Sequence, residues 1–116
     1  MQRKFRLTRS QDFKRVRQSG KSYAHPLIVL FAQSNDEVKI RIGIAAGRTV
    51  GTAVKRNRAK RLLREAMQPL IPSLKYGWDL ILIARPSLAV STLADTHQAV
   101  LNLLYRAKLI SKPDAV

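Results

Sequence analysis

Cysteine is absent from the 116-residue chain, so disulfides, thiolate metal sites and thiol nucleophiles are excluded. Acidic residues are scarce: Asp12, Asp36, Glu37, Glu65, Asp79, Asp95 and Asp114 are the only seven. No two of them fall at a spacing that would set up a hydrolytic carboxylate pair or a metal site. His25 and His97 stand far apart, without a ligand motif, and neither reads as a general base. Long apolar runs are missing as well. The stretches "PLIVLFA" and "LILIA" are too short to span a bilayer, and "MQRKFRLTRSQDF" lacks the apolar core of a signal peptide. A soluble, cytoplasmic protein with no membrane partner, no catalytic residue and no metal site of its own is expected.

What is present in excess is positive charge. Against the seven acids stand 22 Lys and Arg, for a formal net charge of +15. Such a surface seeks polyanions, and nucleic acid leads, because Lys and Arg contacts to phosphate release condensed counterions. The hydrophobic fraction of 46% is that of an ordinary globular protein and argues against wholesale disorder. The length suits a single RNA-binding domain over residues 1–116, with 111–116 as a flexible tail.

Along the chain, Thr8 and Gln11 have capping-box spacing ahead of a short helix with Phe13 and Val16 inward, ending near Gly20. "PLIVLFAQ" predicts a buried strand. After a turn at "SNDE", "VKIRIGIAA" predicts a second, with Val38, Ile40, Ile42 and Ile44 alternating with Lys39, Arg41 and Gly43. Past the loop "GRTVG", Ala59, Leu62, Leu63, Ala66 and Leu70 follow helical spacing until Pro69 stops or bends the helix near Gln68. "WDLILIAR" predicts a third strand. A final helix follows, with Thr92 and Asp95 spaced as a capping box and Leu93, Val100, Leu103, Leu104 and Ala107 inward. The order α, β, β, α, β, α predicts an α/β sandwich, a small sheet covered by helices on one face and free to bind on the other.

The second helix concentrates the charge. Lys55, Arg56, Arg58, Lys60, Arg61 and Arg64 are offset by Glu65 alone. Like charges three and four residues apart cost a few tenths of a kcal/mol per pair, which a polyanion would relieve. At about 100° per residue, Arg56, Asn57, Lys60, Arg61 and Arg64 share one broad side, opposite Ala59, Leu62, Leu63 and Ala66. Phe13 and Phe31 could stack on unpaired bases or pack in the core.

At "VGTAVKRNRAKRLLREAM" the sequence resembles the bacterial ribonuclease P protein subunit, whose hallmark Arg-Asn-Arg is here Arg56, Asn57 and Arg58. "RLTRSQDFKRVRQSGKS", "VKIRIGIAAGRTVG" and "WDLILIARP" extend the resemblance over nearly the whole chain. It implies an α+β fold, ribosomal protein S5 domain 2-like, with a small mixed sheet and a left-handed βαβ crossover. That hand is the reverse of the general rule. It implies a ribonucleoprotein that removes the 5′ leader of precursor tRNA. The catalytic RNA subunit would perform the hydrolysis with Mg²⁺ held mainly by RNA, and no obligate protein partner is expected. On that resemblance Arg56, Asn57, Arg58, Lys60, Arg61 and Arg64 would contact the catalytic RNA, with Arg58 and Arg61 foremost. Phe13, Arg17, Phe31, Lys39 and Arg41 would line the leader groove. Two positions depart from the pattern: Arg17 stands where many members carry a second Phe, and Arg48-Thr49 where some carry two lysines.

The charge alone would suit a structural rRNA-binding protein of ribosomal type, or a protein whose basic helix enters DNA. Whatever the partner, self-repulsion at +15 makes the free fold sensitive to anions. Adding sulfate or phosphate at constant ionic strength is expected to raise Tm over chloride, and equal Tm values in the three salts would contradict this.

Overall fold

The computed structural model describes residues 1–110, and the tail expected at 111–116 lies outside the described residues. Four strands, β1 (Lys21–Ala24), β2 (Ile28–Ser34), β3 (Ile40–Ala46) and β4 (Trp78–Ala84), form one sheet in the order β1-β2-β4-β3. The β1/β2 and β2/β4 pairs are antiparallel, and β3/β4 is parallel. Three helices, α1 (Ser10–Ser19), α2 (Ala53–Met67) and α3 (Leu93–Arg106), complete an α+β fold. The chain connects β3 to its parallel neighbour β4 through α2.

The sheet has two packed faces because its strands alternate. Ile28, Leu30 and Ala32 of β2, Ile40 and Ile42 of β3, and Leu80, Leu82 and Ala84 of β4 join one core with Leu63, Met67, Leu103 and Leu104 from α2 and α3. The intervening residues face the other way. There Ile81, with Phe31 and Ile83 beside it, packs with Leu7, Val16 and Phe13. The sheet is therefore covered by α2 and α3 on one face and by α1 on part of the other, a correction to the expectation of helices on one face alone. β4 is buried from both sides, which accounts for its nearly unbroken apolar run.

Four further expectations are corrected. β1 was not expected, because "KSYA" carries only one inward apolar residue, Tyr23; it forms by hairpin pairing with β2 across His25–Leu27, in the register Lys21↔Ala32 to Ala24↔Val29. Thr8 does not cap α1. The amide of Leu7 donates to the carbonyl of Ile42 at 2.9 Å, which holds this segment extended against the β3 edge, and the helix starts only at Ser10 without a side-chain cap. Val38 is 88% exposed and lies outside β3, because the Lys39 carbonyl turns to accept from the amides of Gly77 and Trp78. Leu93, the first residue of α3, is 43% exposed rather than inward.

Other local signals act as their chemistry predicts. Thr92 caps α3 by accepting from the Asp95 amide at 3.0 Å, and Thr52 caps α2 by accepting from the Lys55 amide at 3.3 Å. α2 ends at Met67, and Pro69 and Pro72 lie in the 3₁₀ turns of Gln68–Ser73 that follow.

Candidate nucleic-acid interface

Helix α2 buries Ala59, Leu62, Leu63, Ala66 and Met67 against the sheet and α3, and this fixes where its charges point. Asn57, Arg61 and Arg64 are exposed, and Arg56 and Lys60 are half-buried on the flank. Arg56, Lys60 and Arg64 stand four apart, in a single row along the helix. Among the described residues none of the side chains of Arg56, Lys60, Arg61 and Arg64 enters an ion pair or hydrogen bond. The first turn holds no acid to offset the positive end of the helix dipole.

Arg58 is different. It lies roughly 40° around the axis from Leu62, on the flank toward α3. Its Nε donates to the Ala89 carbonyl at 2.8 Å and its Nη2 to the Ser91 carbonyl at 3.1 Å. These two carbonyls flank Val90, immediately ahead of the Thr92 cap. One arm of the Arg-Asn-Arg motif therefore ties α2 to the start of α3, while the Arg58 side chain stays exposed.

The other sheet face carries a feature that the sequence reading missed. Asp79, on β4, is fully buried. Its Oδ1 accepts from Arg41 Nε and Asn35 Nδ2, both at 2.9 Å, and its Oδ2 from Arg15 Nη2 at 2.7 Å and Arg41 Nη2 at 2.9 Å. Arg15 also donates to Asp12 Oδ1 at 3.2 Å and to the Gln33 side chain. Burial pushes the Asp79 carboxyl up, but the hydrogen bonds from Arg41, Arg15 and Asn35 outweigh it and hold the group below the usual carboxylate range. The sequence signal was Asp79 itself, the one charge in "WDLILIA".

Of the five residues expected to line one groove, the structure brings together three. Phe13, Arg17 and Phe31, with Ser10, Lys14 and Gln18, line an open groove of about 490 Å³ between α1 and β2. Phe13 seats on Gly43: a Cβ there would come within 2.5 Å of the ring, so the bare backbone of β3 makes the seat. The Arg17 guanidinium lies over the Phe31 ring, with Cζ 5.8 Å from its centroid, and so occupies the face a base would stack on. Arg41 is not in this groove; it forks onto Asp79. Lys39 precedes β3 and pairs with Glu37 at 3.0 Å. Each of the two has a carboxylate within reach: buried Asp79 for Arg41 and exposed Glu37 for Lys39.

Among the described residues no group of three or more His, Asp or Glu could hold a metal ion, and no helix is long and apolar enough to cross a membrane.

Fold and surface together define a small, basic α+β protein with an exposed cationic helix suited to a polyanion. The family model for ribonuclease P matches residues 1–108, and the chain belongs to that family. It is 40% identical to the ribonuclease P protein component of Herpetosiphon aurantiacus over 94% of this chain and 89% of that one. To its counterpart in Brevibacillus brevis it is 38% identical over 97% and 90%. The RNase P protein structure from Staphylococcus aureus superposes with a TM-score of 0.83 at 28% identity, covering 92% of this chain and 98% of that one. The structure from Thermotoga maritima does so at 0.78 and 30% identity, covering 87% and 96%. The chain is thus a subunit of ribonuclease P, a ribonucleoprotein endonuclease of tRNA processing, and works with that enzyme's RNA; the ribosomal alternative is not favoured.

Two stability measurements test this site. Arg58→Ala is expected to lower stability by about 1–3 kcal/mol through the lost charged hydrogen bonds. Arg61→Ala should stay within about 0.5 kcal/mol of the parent. Equal effects in denaturant titrations would remove the distinction between them. Asp79→Asn is expected to cost about 1–3 kcal/mol at neutral pH, because it removes the charge that Arg41, Arg15 and Asn35 answer while leaving two guanidinium groups that are themselves partly exposed to solvent. The sign with pH follows from the depressed folded-state value: the stabilisation is complete above the unfolded carboxylate value of about 3.9 and is lost as pH falls through the folded one. The stability gap between parent and Asp79→Asn should therefore narrow in acid, and a gap that stays constant down to strong acid would contradict it.

Proposed function

We propose that the two faces of the sheet serve two RNAs. The exposed side of α2, formed by Arg56, Asn57, Arg58, Lys60, Arg61 and Arg64, contacts the catalytic RNA of ribonuclease P, with Arg58 also holding the frame through its bonds to the Ala89 and Ser91 carbonyls. The groove of Phe13, Arg17 and Phe31 takes the single-stranded 5′ leader of precursor tRNA. One observation carries the reading: the α2 cations that have no ion pair or side-chain hydrogen bond among the described residues and the aromatic groove beside α1 are anchored on opposite faces of one sheet. Unanswered Arg and Lys side chains on a helix surface suit a folded RNA backbone. Phe13 and the Arg17 guanidinium lying on Phe31, with Lys14 beside them, suit unpaired nucleotides by offering planar surfaces and positive charge together.

Hydrolysis belongs to the RNA subunit, and the protein binds and orients. Asp79 is saturated by its donors, Asp12 engages Arg15, and Glu37 engages Lys39. The Mg²⁺ ions that the RNA uses are held mainly by phosphate oxygens. The setting is the cytoplasm.

Cleavage of a 5′-labelled precursor tRNA at low Mg²⁺ tests this with protein alone, a bacterial ribonuclease P RNA alone, and both. Cleavage at the leader junction is expected to be far faster with both than with RNA alone, and absent with protein alone. Activity of the protein alone would refute the division of labour. Replacing Arg61 and Arg64 together by Ala should reduce the salt slope of binding to the catalytic RNA by roughly 1.5, two lost phosphate contacts at about 0.7–0.9 each. A slope that does not change would exclude this helix row as the contact.

A further inference from the structure

The groove beside α1 has a width, and something must set it. The apolar contact beneath α1 is small: Leu7, Val16 and Ile81 are its only fully buried members, with Phe13, Phe31 and Ile83 partly covered. The helix is tied down at a second point, where Arg15 crosses from α1 to Asp79 on β4 and on the way engages Asp12 of its own helix and Gln33 of β2. Arg15 stands two positions from Phe13 and two from Arg17, both of which line the groove. Beside the seat of Phe13 on Gly43 and the bond from the Leu7 amide to Ile42, the reach of this guanidinium to one buried carboxylate is the polar link that crosses from α1 to the centre of the sheet.

We infer that the Arg15–Asp79 link is a positioning device for the single-strand groove. Asp79 does not meet RNA, since it is fully buried, and Arg15 acts through it by fixing the seat of α1. Arg41 answers the same carboxylate with two hydrogen bonds and Asn35 with one, so Asp79 stays paired when Arg15 is removed. The link can thus be cut at α1 alone. The catalytic-RNA row on α2 stands over the other core and does not depend on it. This inference rests on the leader reading of the groove.

The test uses holoenzyme reconstituted with full-length protein and compares Kd for a precursor tRNA with that for mature tRNA. In parallel it measures Kd of each protein for the catalytic RNA. Arg15→Gln is expected to lower the leader-dependent gain in affinity roughly tenfold, the scale of one lost charged hydrogen bond, and to leave affinity for the catalytic RNA within about twofold. Arg15→Lys separates positioning from direct phosphate contact. An ammonium keeps the charge but cannot engage Asp12, Gln33 and Asp79 together, so it should fail to restore the gain. Phe13→Ala serves as the control for the groove. Loss of the gain in Phe13→Ala but not in Arg15→Gln would overturn the positioning role while the leader reading stands. Full rescue by Arg15→Lys would overturn it too, in favour of phosphate contact, as would equal losses for both RNAs in Arg15→Gln. No leader-dependent gain in the parent would overturn the leader reading and the inference together.

Discussion

A carboxylate buried in a sheet has to be answered at each lone pair, and the way Asp79 is answered organises everything on its side of the molecule. Left alone, such a group would cost several kcal/mol or take up a proton. Here donors come from α1, from the segment after β2, and from β3, so one residue of β4 ties together elements that are far apart in sequence. The geometry has little slack. Arg41 spans the carboxylate with its fork, Asn35 takes a remaining position, and the last falls to Arg15, whose helix must lie where that bond can be made. Apolar packing would allow α1 to slide on Ile81; a 2.7 Å hydrogen bond does not.

This anchoring also divides the molecule. The larger core, between the sheet and helices α2 and α3, is built on apolar side chains such as Leu63, Met67, Leu80, Leu82 and Leu103, and it fixes α2 from beneath. The smaller one is half polar and fixes α1. Disturbance on one face therefore need not travel to the other, since the strands between them present alternate residues to each side. Each surface can therefore be tuned without moving the other.

Much of this was legible in the sequence, and the gaps have physical causes. β2, β3, β4 and all three helices follow from periodicity, and the caps at Thr92 and the stop at Pro69 follow from local chemistry. β1 was hidden because an edge strand needs only one inward residue, here Tyr23. The placement of α1 on the second face could have been suspected from β4, whose unbroken apolar run is the mark of burial from both sides. The site was less legible than the fold. Helical angle places Arg58 on a flank but says nothing of the carbonyls of Ala89 and Ser91 waiting there, and alternation places Arg41 on a face without naming Asp79 as its neighbour.

The cations of α2 show what such internal uses leave behind. A helix with this many basic residues is strained by its own repulsion and by the positive end of its dipole. The fold relieves part of that by laying the exposed Arg58 side chain across two carbonyls, where its charge is partly answered. It does not relieve the rest: Arg56, Lys60, Arg61 and Arg64 have no ion pair or hydrogen bond among the described residues, although the chain keeps Asp12 and Asp79 for the opposite face. Acids placed beside α2 would have stabilised the free protein, and they would have competed with every phosphate that approached. The protein's stability in isolation and its readiness for a polyanion are set against each other on this helix, and the distribution of its seven acids favours the polyanion.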